Sequence, residues 1–417
     1  MNVTLSPIRP AGRVEAIPSK SHAHRLLICA ALSDKPTVLY CPQTNNDIDA
    51  TARCLTALGA KIDYDGQRFA VTPIDRTVEY NDTAILYPGE SGSTLRFMVP
   101  VVLALGRNAE FHMEGRLPTR PMSPLREALV DHGAVFSDIG SNPLIVGGAL
   151  AGGDFAFDGG ISSQFTTGLL LALPLLNKAS TISLLGKVES RPYIDLTLAS
   201  MASFGVIPAD EGNRFTVTPS QYISAGEMTV EGDWSNAAFM LCAGALSDNG
   251  VTVSGLNTSS TQGDKEVLNI LRRFGAECSV SGGEITVKKN TLHGIEIDAS
   301  DIPDLVPVLS CVAAVACGTT IIKNCGRLRL KESDRLATVN EMLENLGADI
   351  RIEGDSLVIN GKEKLRGGTV QAHNDHRIVM SAAVASCACE NSVTIEGAEA
   401  VNKSYPAFFA DLEKISG

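Results

Sequence analysis

Aromatic side chains make up only 5% of the 417 residues, with a single tryptophan. That is too few for the stacking platforms that hold single-stranded nucleic acid. Positive charge is also short: 35 Lys and Arg face 47 Asp and Glu, a formal net charge of −12. Nonspecific attraction to DNA, RNA or an anionic membrane is therefore excluded, and an anionic ligand would need a local cluster of cations. The ten cysteines include no C-x-x-C and no paired Cys/His spacing suited to zinc. Several lie in small-residue apolar stretches such as "LSCVAAVACG", and they read as reduced, buried thiols. No apolar run reaches membrane length, and the N-terminus has neither an apolar leader core nor a transit composition, so the cytoplasm is the expected compartment. What is plentiful is apolar material, 44% against 20% charged, over a length that calls for two or three domains.

The length is explained by a repeat. An apolar-periodic helix, then (L/F/H)-G-(A/V), then two short strands recur with marker glycines Gly59, Gly133, Gly205, Gly275 and Gly347. A second element interleaves with it: a small-residue helix running through a turn into a strand, as in "LCAGALSDNGVTVSG" and "VAAVACGTTIIKN", in six copies. Together they define an α/β unit of about 70 residues. The sixth copy would need its marker beyond the last residue, so its missing strands must come from elsewhere, and "NVTLSPI…GRVEAIP" at the N-terminus is the available donor. The spacing predicts two domains of three units each, residues 1–16 with 230–417 and residues 17–229. The chain would cross between them near 16–20 and 224–232. A cleft between such halves is the default ligand site, able to close like a hinge.

Cations and hydroxyls gather at predicted helix starts, where free N–H groups and the helix dipole favour anions. The run "GRLRLKESDRL" follows a β-branched strand. Continued at period two, it would put Arg327, Arg329 and Lys331 on one face, with Ser333 capping a helix that ends at Gly347. "PSKSHAHR" supplies Lys20, Ser21 and Arg25. "YPGESGSTLRF" is a Gly/Ser turn opening a helix with Arg96 one turn in, though it lacks the Lys-Ser/Thr ending of a P-loop. "GRLPTRPMSPL" presents Arg116 and Arg120. "ISSQFTTGLL" places Ser162, Ser163 and Gln164 at a helix start, and "AHNDHRIVMS" does so for Asp375, His376 and Arg377. Taken singly, Ser162 reads as an N-cap, His376 as a polar cap and Arg120 as part of a surface turn. Around one cleft they could bind a substrate of several negative charges through charge-assisted contacts.

In order along the chain, "PSKSHAHR", "GESGSTLRF", "PTRPM", "SSQFTTGLL", "ESRPYIDLT", "IPDLVP", "LKESDRL", "NDHRIVMS" and "VNKSYPAFF" resemble the enolpyruvyl transferase family over essentially the whole length. Within it the chain is similar to the branch acting on shikimate 3-phosphate. The branch acting on UDP-N-acetylglucosamine usually carries a Cys in the loop before R-P, and here that loop is "GRLPTRP". The resemblance implies two domains, each of three βαβαββ units in an inside-out α/β barrel, a monomer and no cofactor or metal. It implies two small-molecule substrates, shikimate 3-phosphate and phosphoenolpyruvate, and no nucleic-acid or membrane partner. The 5-hydroxyl of the first would attack C2 of the second, C3 would be protonated, and phosphate would leave a tetrahedral intermediate. By resemblance Lys20, Gly92, Arg120, Gln164, Arg335, Arg377 and Lys403 surround phosphoenolpyruvate. Ser21, Arg25, Ser162, Ser163, Gln164, Ser190, Tyr193, Asp304 and Lys331 hold the shikimate moiety. Lys20, Asp304 and Glu332 are the catalytic set, with the two carboxylates as proton carriers.

Physical chemistry adds two expectations. A lysine crowded by arginines, as Lys20 would be, has its charged form disfavoured and its pKa lowered toward a range useful for proton transfer. Glu90 stands where the family usually has an amide or Asp. A carboxylate there should weaken anion binding unless a cation pairs with it, raising KM for phosphoenolpyruvate or altering sensitivity to the family's inhibitor glyphosate; Glu90→Asn tests this. Arg327 replaces a residue that is commonly Asn.

Overall fold

The structure is a computed structural model in which residues 1–416 are described; Gly417, the end of the expected 230–417 segment, lies outside them. The chain forms two compact units, one of Lys20–Val230 and one of Met1–Ser19 with the chain from Glu231 onward.

In the first unit the helices are α1 (Lys20–Ala31), α2 (Asn46–Ala57), α3 (Gly92–Ala104), α4 (Leu125–Val130), α5 (Ser163–Ala172) and α6 (Arg191–Ala202). The odd-numbered ones are the small-residue helices of the repeat; α3 and α5 are apolar nearly all round, while α1 is so only after its polar opening KSHAHR. Such a helix can only be satisfied inside a core: α3 and α5 bury almost every residue. Each runs through a turn into a strand, Thr37–Tyr40, Ala109–Met113 and Ser180–Leu185. The even-numbered helices end at the marker glycines, where Gly59, Gly133 and Gly205 take φ of +106°, +95° and +76°. That left-handed turn is open to glycine at no steric cost.

Three four-stranded sheets result, with one common plan: a parallel pair followed by two antiparallel neighbours. In the first, Glu227–Thr229 lies parallel to Thr37–Tyr40, which pairs antiparallel with Arg68–Thr72, and that strand with Lys61–Tyr64. The sheets of Ala84–Gly89 and of Asp154–Asp158 repeat it. The first sheet thus takes its outer strand from the far end of the unit, closing the unit on itself.

The second unit carries α7 (Trp234–Ala245), α8 (Val267–Phe274), α9 (Val306–Ala313), α10 (Arg335–Asn345), α11 (His376–Ala385) and α12 (Phe408–Lys414). Again the odd-numbered helices are the buried ones. Here the N-terminal residues supply strands: Gly12–Glu15 lies parallel to Val251–Ser254, and Asn2–Leu5 pairs antiparallel with Val393–Glu396. The sixth sheet has three strands among the described residues. Each unit holds one contiguous apolar core. Truncating a fully buried ring such as Phe239 in α7 would cost roughly 3–5 kcal/mol.

Two local expectations are corrected. Gly326–Leu330 is a 3-10 helix, not a continuing strand, so Arg327, Arg329 and Lys331 do not share a strand face. Gly326 at its start lies against Asp355, where an added Cβ would come within 2.7 Å of a carboxylate oxygen, so glycine is what fits there. The N-cap of α10 is Asp334, whose side chain accepts from the Ala337 N–H at 3.1 Å, rather than Ser333. Ser333 turns inward and donates to Asp375 Oδ2 at 3.0 Å.

Candidate active site

In the unit of Lys20–Val230, side chains tie together the N-termini of five helices. Lys20 opens α1 and its Nζ donates to Asp47 Oδ2 at 2.9 Å, in the first turn of α2. His24 Nδ1 meets Thr51 Oγ1 at 2.7 Å, Thr51 meets Thr94 at 2.7 Å, and Thr94 bonds to Ser91, the N-cap of α3. Burial, reinforced by Lys20 and Arg25, holds the His24 pKa well below its ordinary value. This imidazole is therefore a neutral link between α1 and α2.

Arg25, buried at 2% exposure, donates to Thr197 Oγ1 and to the carbonyls of Ser21 and Tyr193 at 2.8, 2.6 and 2.9 Å. Burial lowers its pKa to about 10, with Tyr193 acting the other way; it stays charged near neutrality. Ser190, held at φ 56°, is the N-cap of α6, and its carbonyl accepts from the Tyr193 N–H at 3.1 Å. A non-glycine residue there stores on the order of 1 kcal/mol of strain. Arg25 thus fixes the openings of α1 and α6 to one another.

The second knot joins α3 and α5. Arg96 Nη1 donates to Gln164 Oε1 at 2.7 Å, Arg96 Nη2 to the Pro121 carbonyl at 2.8 Å, and Gln164 Nε2 to Ser93 Oγ at 2.9 Å. Ser162 is the N-cap of α5 and accepts from the Gln164 N–H; Ser163 beside it is buried. At Gly92 an added Cβ would lie 2.7 Å from Arg120 Nη1 and 3.0 Å from Arg96 Nη1. Glycine there lets two guanidinium groups reach the first turn of α3, itself the positive end of a helix. The strand before it shifts register between Leu86 and Gly89, the kind of irregularity that re-aims a turn beside a site. The Glu90 carboxyl carbon would be 2.6 Å from a Cβ at Gly115, so that glycine makes room for the departure at this turn.

In the other unit the centre is Arg335, 1% exposed. Its Nη1 donates to Asp304 Oδ1 at 2.9 Å, Nη2 to Glu332 Oε2 at 2.6 Å, and Nε to Asp375 Oδ2 at 2.9 Å. Burial opposes its charge, but Asp375, Glu332 and Asp304 together hold its pKa above the ordinary arginine value. Asp375 is itself fully buried and caps α11 through the Arg377 N–H at 2.9 Å. Burial would raise its pKa, and Arg335 outweighs burial to hold it below the usual carboxylate value.

Arg377 Nη2 reaches Asp304 Oδ2 at 3.2 Å and its Nη1 the Asp304 carbonyl at 3.0 Å. Lys331 Nζ lies 3.4 Å from Asp304 Oδ1. Lys403 Nζ donates to the Asn374 carbonyl at 2.6 Å, in a turn where His373 and Asn374 have φ of 50° and 55°.

Lys331 is crowded by arginines. Burial lowers Lys331 to about 8; Asp304 opposes this, while Arg335 and Arg327 add to it. Lys20 is paired with the carboxylate of Asp47.

Every residue expected at a site therefore falls in one of two clusters, each within its own unit: Lys20, Ser21, Arg25, Gly92, Arg120, Ser162, Ser163, Gln164, Ser190 and Tyr193 in one, Asp304, Lys331, Glu332, Arg335, Arg377 and Lys403 in the other. Arg329 falls at the margin, 40% exposed and paired with Asp334 and Asp355 at 3.5 and 3.8 Å. Sequence reasoning missed Asp47. Its signal was an acid in the first turn after a cap-forming Asn in "TNNDID".

The family model for EPSP synthase (3-phosphoshikimate 1-carboxyvinyltransferase) matches residues 6–412. Proteins named 3-phosphoshikimate 1-carboxyvinyltransferase are similar over the entire chain. That of Clostridium kluyveri is 39% identical over 100% of this chain and 97% of its own, and that of Clostridioides difficile is 40% identical over 100% and 98%. Among solved structures, EPSP synthase from Acinetobacter baumannii superposes with a TM-score of 0.82 at 24% identity, covering 100% of this chain and 98% of that one. The enolpyruvyl transferase NikO from Streptomyces tendae superposes at 0.79 with 17% identity, over 99% and 97%. These two likenesses carry the fold, and the sequence matches carry the rest. This chain belongs to the EPSP synthase (3-phosphoshikimate 1-carboxyvinyltransferase) family.

Proposed function

We infer that the protein transfers the enolpyruvyl group of phosphoenolpyruvate to the 5-hydroxyl of shikimate 3-phosphate, giving 5-enolpyruvylshikimate 3-phosphate and phosphate. The hydroxyl oxygen bonds to C2 as its proton passes to a base, and C3 takes a proton to become a methyl group. The C2–O bond to phosphate then breaks as that methyl returns a proton, leaving the new enol ether. Three groups must be supplied: a proton acceptor, a proton donor and cations for two phosphates and a carboxylate.

One observation carries the assignment of roles: the two Nη atoms of the buried Arg335 each hold one carboxylate, Asp304 at 2.9 Å and Glu332 at 2.6 Å. Two carboxylates fixed on one guanidinium are positioned for proton transfers at neighbouring atoms, and Lys331, with a pKa near 8, can hold or yield a proton beside Asp304. Asp304 and Glu332 are then the proton carriers, with Lys20 assisting. Arg120, Gln164, Arg335, Arg377, Lys403 and the turn at Gly92 receive phosphoenolpyruvate. Ser21, Arg25, Ser162, Ser163, Gln164, Ser190, Tyr193, Asp304 and Lys331 receive the shikimate moiety. Each close cation–phosphate contact is worth roughly 4 kcal/mol at 4 Å before desolvation, so several offset the net charge of −12. The protein acts as a monomer in the cytoplasm.

The test is phosphate release from phosphoenolpyruvate with shikimate 3-phosphate, with UDP-N-acetylglucosamine, or with neither. Release is expected only with shikimate 3-phosphate and should fall at least a hundredfold in Lys20→Ala. Release with the nucleotide sugar alone, or an active Lys20→Ala, would overturn the reading.

A further inference from the structure

The turn that follows α3 puts an arginine where such turns usually seat an apolar side chain. The helix closes on a left-handed glycine, Gly106 at φ 68°. The Gly106 N–H donates to the Leu103 carbonyl at 3.0 Å and the Arg107 N–H to the Val102 carbonyl at 3.1 Å. That pair of bonds fixes the residue after the glycine, and an apolar contact with the last helical turn usually accompanies it. Here the residue is Arg107, 5% exposed.

Burying a guanidinium calls for partners, and Arg107 has few. Its Nη2 reaches Asp82 Oδ1 at 3.3 Å, but Asp82 is itself 76% exposed. Its Cζ lies 4.1 Å from the centroid of the Tyr80 ring. Among the described residues its Nε meets no hydrogen-bond partner, and its side chain bonds to none of the carbonyls that end α3. Gly59, just past α2, gives the ring its place: an added Cβ there would lie 2.6 Å from the Tyr80 hydroxyl. The charge is thus held by an aromatic face and left short of hydrogen bonds, which is costly for a buried group.

Arg107 also lines a cavity of about 190 Å³. Most of the remaining wall is apolar: Leu58 at the end of α2, Ala104 and Leu105 at the end of α3, and Ile74, Val78 and Leu175. An apolar cavity of about 150 Å³ is enough to take up benzene, so this one has room for a single ring and a carboxylate. The exposed Asp75 and Arg76 add one charge of each sign to the wall. Asp75 is engaged by the Thr77 N–H and hydroxyl at 2.9 and 2.7 Å. The sign of charge that the cavity favours is therefore set by Arg107. The cavity lies at the C-terminal ends of α2 and α3, whereas the candidate active site lies at helix N-termini. The 13 residues of α3 put roughly 20 Å between its two ends.

We propose that this cavity is a second ligand site, for a small carboxylate with a compact apolar body of about one ring, whose anion takes the Nε and Nη2 edge of Arg107 in place of Asp82. That edge offers two parallel N–H groups, the geometry that a carboxylate bridges. Asp82 is the competitor, and because it is exposed, releasing it to water costs little. The apolar body supplies affinity by leaving water. Arg107 supplies selection, since a neutral molecule of the same shape leaves the guanidinium as poorly bonded as before. The site does not depend on enolpyruvyl transfer, and neither reading stands or falls with the other.

The test uses the full-length protein with labelled Ile, Leu and Val methyl groups, titrated with benzoate and followed by methyl NMR. Benzoate should saturate, with shifts centred on Ile74, Val78, Leu105 and Leu175. Benzyl alcohol keeps the ring and acetate keeps the carboxylate; each should bind about tenfold more weakly or worse. Arg107→Gln should weaken benzoate by about tenfold and leave benzyl alcohol unchanged, a split that a merely structural role would not give. Asp82→Asn removes the competitor and should tighten benzoate by about threefold. Ala104→Leu fills the cavity and should abolish binding of both ring compounds. Shifts centred instead on the openings of α1, α3 and α5 would put the anion in the candidate active site and overturn the proposal. Equal affinity for benzoate and benzyl alcohol, or no saturable shift, would also overturn it. If Arg107→Gln does not fold, Asp82→Asn decides: an affinity for benzoate that does not rise overturns the site.

Discussion

Three carboxylates converge on the one buried guanidinium of Arg335, so removing any one of them leaves charge without its counterpart. Lys331, at the edge of that cluster, behaves in the opposite way. Its pKa is lowered by burial from 10.5 to about 8, so between those values the unfolded chain binds more protons and stability rises with pH. Below pH 8 the lysine is charged in both states and the burial cost is present in full. Lys331→Met should therefore stabilise the protein at pH 7, by on the order of 2 kcal/mol after discounting for partial exposure, with the gain shrinking by pH 10. Urea unfolding at the two pH values measures it, and the same variant should raise KM for shikimate 3-phosphate at least tenfold. Much of this residue-scale detail was not readable in the sequence. "GRLRLKESDRL" alternates like a strand, and the close approach of Asp355 to Gly326 comes from a residue further along the chain. Ser333 reads as the cap of α10 from its local sequence, and the bond that draws it inward comes from the distant, buried Asp375.

The elements were far more legible, because their signals are local. Marker glycines ended helices since the left-handed turn excludes side chains, and Ser162 was found capping α5 because the cap needs only its own next residues. Helix-to-helix distance was not legible. Gly168 of α5 sits where an added Cβ would lie 2.3 Å from the Arg96 carbonyl oxygen of α3, a contact that backbone cannot yield cheaply. Gly168→Ala should force α3 and α5 apart, costing about 1–3 kcal/mol, and stretch the Arg96–Gln164 bond. The variant should fold, melt several degrees lower, and show a raised KM for phosphoenolpyruvate with kcat less affected. Unchanged melting and KM would mean the helices are less tightly set than the geometry states.

At the scale of the whole molecule, six copies of one α/β unit make two closed sets, and the chain start completes the set that holds the chain end. The repeat interval is a long-range signal carried by the sequence itself, whereas the pairing of Asn2–Leu5 and Gly12–Glu15 with strands hundreds of residues away is a tertiary feature. Deleting residues 1–15 should therefore damage one unit selectively. Amide exchange should become faster in Val251–Ser254 and Val393–Glu396, each of which loses one of its two partners, while Thr37–Tyr40 in the other unit stays protected. Uniform loss of protection would contradict two separate cores.

The measurement that bears most directly on the account is mass and NMR analysis of the product formed from shikimate 3-phosphate and phosphoenolpyruvate in D2O. The proposed route protonates C3 and then removes a proton from the resulting methyl group. It predicts an enolpyruvyl ether at the 5-hydroxyl with deuterium in its vinyl methylene, and loss of both product and label in Glu332→Gln or Asp304→Asn. An ether formed without any deuterium, or no ether from folded protein, would contradict it.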